Sequence, residues 1–201
     1  MPRTEEANQR IREEQREKIL EGARKVFARK GRVATMADVA TEAGVSQGLA
    51  YRYFANKEAL FQALIEQVMQ STHTLMQRVV EMPGTPGERL DFLLSRIVKG
   101  RHKHLELVEF VQLLSQMQSS EEIPDHLREI VVRQGQPLRD MVRQLIIEGQ
   151  ATGEVAGDDP DQLMTHIFAC LDGIFRLALR DPERFHKHVP DARIILRLLK
   201  P

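Results

Sequence analysis

Apolar residues recur at three- and four-residue spacings through most of the chain, the period of helices buried on one face. Over 5–30 the repeating positions are Ile11, Ile19, Leu20, Ala23, Val26 and Phe27, and Gly31 suits the position just past a helix end. Thr35 stands where an N-cap belongs, with Asp38 three residues on resembling a weakened capping box. A short helix over 36–43 is expected there, stopped by Gly44. Ser46 can cap a helix over 47–54, and Asn56 another that starts at Lys57 and runs toward Glu81. Leu60, Phe61, Leu64, Ile65, Val68, Met69, Met76 and Val80 give that helix an inner face. The Pro/Gly-rich stretch 82–87 breaks the pattern. Four helical stretches follow, over 87–100, 104–118, 121–150 and 159–180, with Pro124 bending or restarting the third. The Gly/Asp-rich 152–160 reads as a loop, Pro182 as a stop, and 192–199 as a short last helix. No strand alternation and no internal repeat occur, so the fold class is all-α.

Composition narrows this further. The 201 residues are 42% hydrophobic and 5% aromatic, with one Cys and no Trp, as in ordinary soluble globular chains. Domains usually run to ~50–200 residues, so two at most fit. A single Cys forms no intrachain disulfide, and a cytoplasmic location is expected. No apolar stretch approaches the ~20 residues that span a bilayer, and the charged N-terminus lacks a signal peptide's apolar core. Taken whole, 29 Lys+Arg against 29 Asp+Glu argues against a nucleic-acid partner. The distribution argues otherwise. Residues 1–56 hold 11 bases against 8 acids, residues 57–120 hold 7 against 7, and residues 121–201 hold 11 against 14. A basic head and an acidic tail suggest two jobs in one chain.

The segment 35–54 reads as helix, tight turn, helix. Val39, Ala40 and Ala43 share a face of the first helix, and the small alanines permit close helix approach. Gly44 permits a left-handed turn, and Val45 can plug the angle between the helices. Leu49 or Ala50, Tyr53 and Phe54 supply the apolar side of the second. This is the anatomy of a DNA-binding helix-turn-helix, whose second helix enters the major groove. The stretch 19–27, Gly31, the segment above and 54–61 together resemble the DNA-binding domain of the TetR family of bacterial transcriptional regulators. The resemblance rests on Phe27, Gly31, Ala40, Gly44, Val45, Tyr51, Tyr53, Phe54, Lys57 and Leu60, and covers about residues 15–65.

The resemblance implies a head over 1–56 and a helical ligand-binding and dimerisation domain over 57–201. It implies a double-stranded DNA operator, a small and mostly apolar effector, and a homodimer as partners. Ser46, Gln47 and Gly48 open the recognition helix, where family members approach base edges; Gln can bond adenine bidentately. Tyr51 and Tyr53 match positions that touch phosphate or pack the domain. Arg52 can reach phosphate or guanine. Thr35 and Lys57 match phosphate-contacting positions. Position 49 is often Thr or Ser in the family; Leu49 instead contacts a thymine methyl or packs inward. Arg3, Arg10, Arg12 and Arg16 form either a basic arm or, with the interleaved Glu residues, an ion-paired helix surface.

For the effector, apolar candidates are Met69, Met76, Leu93, Phe110, Leu114, Met117, Met141 and Phe168, which can equally be ordinary core. Polar candidates are His73, Gln112, Gln116, His166 and Asp172. The stretch 163–179 is apolar on more than one face, so Ala169 and Gly173, four apart, are expected at a two-fold interface. Ile195, Leu198 and Leu199 of the last helix are expected to join them. Two other readings carry separate signatures: a helical interaction module with a vestigial helix-turn-helix, and a small enzyme using the His166 and Cys170 pair. His102, His104, His186 and His188 lack the partners of a metal site. No cofactor, metal, catalytic residue or membrane partner is expected, and the resemblance implies a regulator rather than an enzyme.

Overall fold

The computed structural model describes residues 5–102, 125–197 and 199–201. The regular structure among them is α1 (Glu5–Lys30), a 3-10 turn (Gly31–Val33), α2 (Met36–Glu42), α3 (Gln47–Tyr53), α4 (Lys57–Glu81), α5 (Pro86–His102), α6 (Asp125–Ala151), α7 (Pro160–Arg180), α8 (Pro182–Lys187) and α9 (Arg193–Arg197). The all-α reading stands: no strand occurs among the described residues. The expected helix over 104–118 and the start of the next at 121–124 lie outside them.

Two elements depart from the sequence pattern. Pro182 was expected only to end a helix, yet it also begins one. Asp181 leaves helical geometry at φ −142°, and its Oδ1 accepts the Arg184 amide at 3.0 Å, capping α8. Proline suits that first turn because its missing N–H would have no partner there. The 3-10 turn after α1 was also not anticipated. It tightens the chain around Gly31, whose φ of 57° is left-handed.

The chain divides into two compact units, 1–68 and 69–201. The division falls inside α4, later than the boundary expected at 56, so one helix contributes its first turns to one unit and its last turns to the other. In the first unit Ile19, Leu20, Ala23, Val39, Ala50, Leu60, Leu64 and Ile65 are buried. Phe27 and Phe61 meet edge to face, ring centroids 5.4 Å apart, a favoured aromatic geometry. Gln67 donates to Glu17 at 2.7 Å.

The second unit closes around Leu90, Leu93, Leu94, Val142, Ile146, Ile167, Leu171 and Phe175. Thr85 and Glu88 cap α5 reciprocally, the Thr85 amide donating to Glu88 at 2.9 Å and the Glu88 amide to Thr85 at 3.3 Å. Thr85 Oγ1 also donates to Glu154 at 2.6 Å, tying α5 to the loop after α6. α4 corrects one expectation. Val80 was placed on its inner face but is 65% exposed, whereas Val79 is buried with Leu75 packed beside it. Leu75 and Val79 form the core stripe, and Met69, His73, Met76 and Val80 follow an adjacent one. Among the described residues no helix is long and apolar enough to cross a membrane.

Candidate nucleic-acid interface

The first unit builds its surface from helix caps and one tight turn. Thr35 is the N-cap of α2, extended at φ −116° and ψ 161°. Its Oγ1 accepts the Asp38 amide at 3.1 Å, while Asp38 Oδ2 accepts the Thr35 amide at 2.9 Å. The capping box is therefore complete, although Asp is a methylene shorter than the usual Glu. Thr35 Oγ1 also donates to Asp38 Oδ2 at 2.9 Å. Its proton is thus committed within the box, and donating it to a phosphate would mean giving up that bond.

Asp38 further accepts Lys30 Nζ at 2.6 Å, and Arg29 pairs with Glu42, so the end of α1 is clamped to α2. The Lys30 ammonium, then the Thr35 amide and hydroxyl, hold the Asp38 carboxyl at about 2 against an ordinary 3.8. A carboxylate depressed on folding contributes stability that is present above its unfolded value and lost as pH falls through its folded one. The cap contribution is therefore expected intact at pH 4 and above and lost toward pH 2. A carbon-detected NMR titration should give an Asp38 midpoint near 2; a midpoint near 3.8 would show that these bonds do not hold in solution.

After α2 the chain turns at Gly44, with φ 61°, a left-handed conformation that costs glycine little. The Val45 amide closes the turn onto Ala40 at 2.9 Å. Ser46 then caps α3, its Oγ accepting the Leu49 amide at 3.1 Å. Gly22 of α1, a position the spacing argument did not single out, makes this geometry possible. A Cβ there would meet Ala43 Cβ and N at 2.9 Å. The small residues expected at the helix crossing are thus matched by a third on α1.

α3 has two sides. Ala50 is fully buried, Leu49 and Tyr53 are half-buried, and Phe54 is buried just past the helix end. Leu49 therefore packs at least partly inward. Ser46, Gln47, Gly48, Tyr51 and Arg52 are exposed, and Thr35 is exposed at the start of α2. Lys57 is half-buried at the start of α4, where Asn56 Oδ1 accepts the Ala59 amide at 2.8 Å. Of the arm residues, Arg10 pairs with Glu14 at 3.2 Å, and Arg16 pairs with Glu17 at 3.7 Å and lies 5.4 Å from the Phe54 ring centroid. Arg12 is exposed, and Arg3 lies outside the described residues. An ion-paired helix surface fits this stretch better than a free arm. The readout side of α3 thus offers an amide, a phenol and a guanidinium beside a bare glycine.

The second unit sorts the other candidates. His73 and Met76 of α4 and Met141 of α6 come together in a shallow groove of about 210 Å³, joined by Gln77, Val80 and Glu81, which the sequence reading had not chosen. Met69 is half-buried on α4. Leu93 is fully buried in the core and Phe168 packs against it, so both have ordinary structural roles there. His166 is exposed and its Nδ1 lies 2.8 Å from the Gln162 carbonyl; the groove does not include it. Asp172 pairs with Arg176 at 2.7 Å. Phe110, Gln112, Leu114, Gln116 and Met117 lie outside the described residues.

Ala169 and Gly173 are exposed on α7, as an interface would require. Ile195 and Leu199, expected beside them, are instead buried in the unit's own core at 5% and 3% exposure. The outward apolar residues are Leu177 at 60% and Ile194 at 56%. Leu198 is outside the described residues. Cys170 is half-buried, and no group of three metal-binding side chains occurs among the described residues.

Comparison with known proteins adds to this geometry. The family model described as bacterial regulatory proteins, tetR family, matches residues 19–64. The chain is 36% identical over 94 residues to the uncharacterized HTH-type transcriptional regulator YvdT of Bacillus subtilis, covering 44% of this chain and 47%, about half, of that one. It is 27% identical over 162 residues to the HTH-type transcriptional regulator BetI of Rhizobium meliloti, covering 80% and 75%. Among solved structures, the ketosteroid regulator KstR2 of Mycobacterium tuberculosis superposes with a TM-score of 0.76 at 22% identity, over 92% of this chain and 95% of that one. FadR of Bacillus subtilis, in complex with stearoyl-CoA, superposes with a TM-score of 0.70 at 22% identity, over 90% and 95%. These structural likenesses show the fold.

Proposed function

The chain belongs to the TetR family of bacterial regulatory proteins, and from that premise we propose that it is a ligand-responsive transcriptional repressor acting in the cytoplasm as a homodimer on a pseudopalindromic operator. The observation that carries the reading is the outward side of α3. Gln47, Gly48, Tyr51 and Arg52 face solvent from a helix seated on buried Ala50, behind a left-handed glycine turn. A helix held this way can enter the major groove, where Gln reads adenine and Arg reads guanine or holds phosphate. Lys57 and Tyr51 are assigned to the DNA backbone, which sets register. Thr35 and Ser46 serve chiefly as the caps that aim the helices, and Tyr53 packs α3 against the unit.

The effector reading rests on the groove of His73, Met76 and Met141, which is mostly apolar and small for a ligand site. FadR of Bacillus subtilis holds an acyl thioester of long chain, and an apolar effector is proposed here by analogy of fold. α4 supplies residues both to the groove and to the first unit, so a ligand that shifts its last turns can bias the operator-binding state. Such coupling is typically ~1–3 kcal/mol.

For the dimer, we assign the outward face of α7, with Ala169, Gly173 and Leu177, together with Ile194 of α9. Two copies meeting there would bury apolar surface that is otherwise exposed. Light scattering of the wild type should give about twice the 23.1 kDa chain mass. The double substitution Gly173→Arg with Leu177→Glu should give the monomer mass with helicity unchanged; a wild-type monomer would overturn the dimer assignment. The DNA reading is tested by selecting duplexes from a randomised pool with the wild-type protein. Recovery of a two-fold-symmetric sequence supports it, and recovery of no sequence rejects it.

A further inference from the structure

Gly48 lacks an internal cause. Glycine inside a helix costs stability relative to alanine, because its backbone loses more freedom on folding. Elsewhere among the described residues that cost has a visible reason. At Gly22 a Cβ would meet Ala43 at 2.9 Å, and at Gly149 it would meet Val155 at 2.6 Å. Gly44 and Gly153 adopt positive φ of 61° and 74°. Gly48 has neither feature: its φ is not in the left-handed region, and nothing lies within 4 Å of the Cβ it lacks. Within α7, Gly173 is open in the same way, and there the proposed neighbour is a second subunit.

We propose that Gly48 determines operator sequence: its missing side chain lets α3 approach an A·T pair closely enough to seat the thymine C5-methyl against the helix backbone. The inference rests on reading α3 as the helix that enters the major groove. Gly48 follows Gln47, and Tyr51 and Arg52, three and four residues on, share its outward side. These larger side chains wall a gap one residue wide. Bare backbone at that gap offers no side-chain donor or acceptor. A polar base edge facing it would lose its water without gaining a partner, which is costly. The thymine methyl is the apolar protrusion of the major groove and loses nothing by apolar contact. Gln47, immediately before, supplies the amide that reads adenine. The half-site is therefore expected to hold an A·T pair at the position facing residue 48.

The test uses the full-length dimer and the duplex that the wild type selects from a random pool, with a scrambled duplex as control. Gly48→Ala should raise the thermal midpoint by about 1–4 °C, the direction of helix propensity. It should nevertheless weaken binding to the selected duplex on the order of tenfold, a typical cost of a misfit at a base contact, and leave the scrambled duplex unchanged. Replacing individual thymines with deoxyuridine removes only the methyl. At one position per half-site this should weaken the wild type about fourfold per methyl. At that same position Gly48→Ala should show no such loss, because its own methyl fills the space. Undiminished binding by Gly48→Ala, or a wild type indifferent to deoxyuridine at every position, overturns the inference while leaving the DNA reading intact. A wild type that selects no sequence overturns that reading, and the inference with it.

Discussion

Gly22→Val is expected to unfold the first unit and abolish DNA binding, the largest effect anticipated for any single substitution here. Replacing a glycine in a helix interior ordinarily stabilises by roughly 0.5–1 kcal/mol. At Gly22 the sign reverses. The first carbon added would lie 2.9 Å from both the Cβ and the backbone N of Ala43. The Ala43 amide already donates to the Val39 carbonyl at 2.9 Å and is followed directly by the left-handed turn at Gly44. The obstacle is therefore backbone, and relief means moving the end of α2 or the turn that aims α3. Overpacking a core typically costs ~1–3 kcal/mol, and valine adds branched bulk to that first carbon. Gly22→Ala should lower the thermal midpoint measurably, and Gly22→Val should lose the head's cooperative transition. A Gly22→Ala protein more stable than wild type would mean that α1 and the α2–α3 turn do not approach this closely.

Arg52→Ala is expected to leave folding untouched and lower operator affinity by about two orders of magnitude. Arg52 is exposed on α3 and makes no ion pair among the described residues. Other bases of the head are engaged: Arg29 with Glu42, Lys30 with Asp38, Arg10 with Glu14 and Lys25 with Glu21. A well-placed arginine contact to a base edge is worth ~1–3 kcal/mol, and a symmetric dimer makes it twice. Arg52→Lys separates the two possible targets. Lysine keeps a point charge for phosphate but loses the planar fork that matches guanine. If Arg52 reads guanine, Arg52→Lys should fall nearly as far as Arg52→Ala in fluorescence anisotropy and relax sequence preference at one base pair. Unchanged affinity in Arg52→Ala would remove it from the interface.

Much of this geometry was legible in the sequence because it is local. Thr35, Ser46 and Asn56 are caps that act within three residues, and Gly44 is a turn whose φ only glycine adopts freely. The pattern was silent where two elements distant in sequence decide the matter. Gly22 is required by Ala43, and nothing within α1 marks it. Ile194 and Ile195 are both apolar in a helix of little more than one turn, so periodicity could not say which faces the core; Ile195 does. On α4, Val79 and Val80 posed the same ambiguity, settled by packing beside Leu75. The groove residues Gln77 and Glu81 were missed because a polar residue on an exposed helix face carries no mark of a site. The complete capping box at Asp38 was underestimated because spacing alone did not reveal how well the shorter carboxylate reaches.

The neutral total charge also reads differently with the structure in hand. Several bases of the head are tied up in ion pairs that orient α1, α2 and α3, so little free charge is left for non-specific attraction to DNA. Selection of the operator then leans on α3 and on the presence of two half-sites. The most direct test is a salt titration of binding to the selected duplex, followed by fluorescence anisotropy. The account predicts that affinity falls linearly in log–log form as salt rises, by about 0.9 per phosphate contact. It also predicts saturation at one dimer per symmetric site and much weaker binding to a scrambled duplex. A flat salt dependence, or equal affinity for selected and scrambled duplexes, would contradict it.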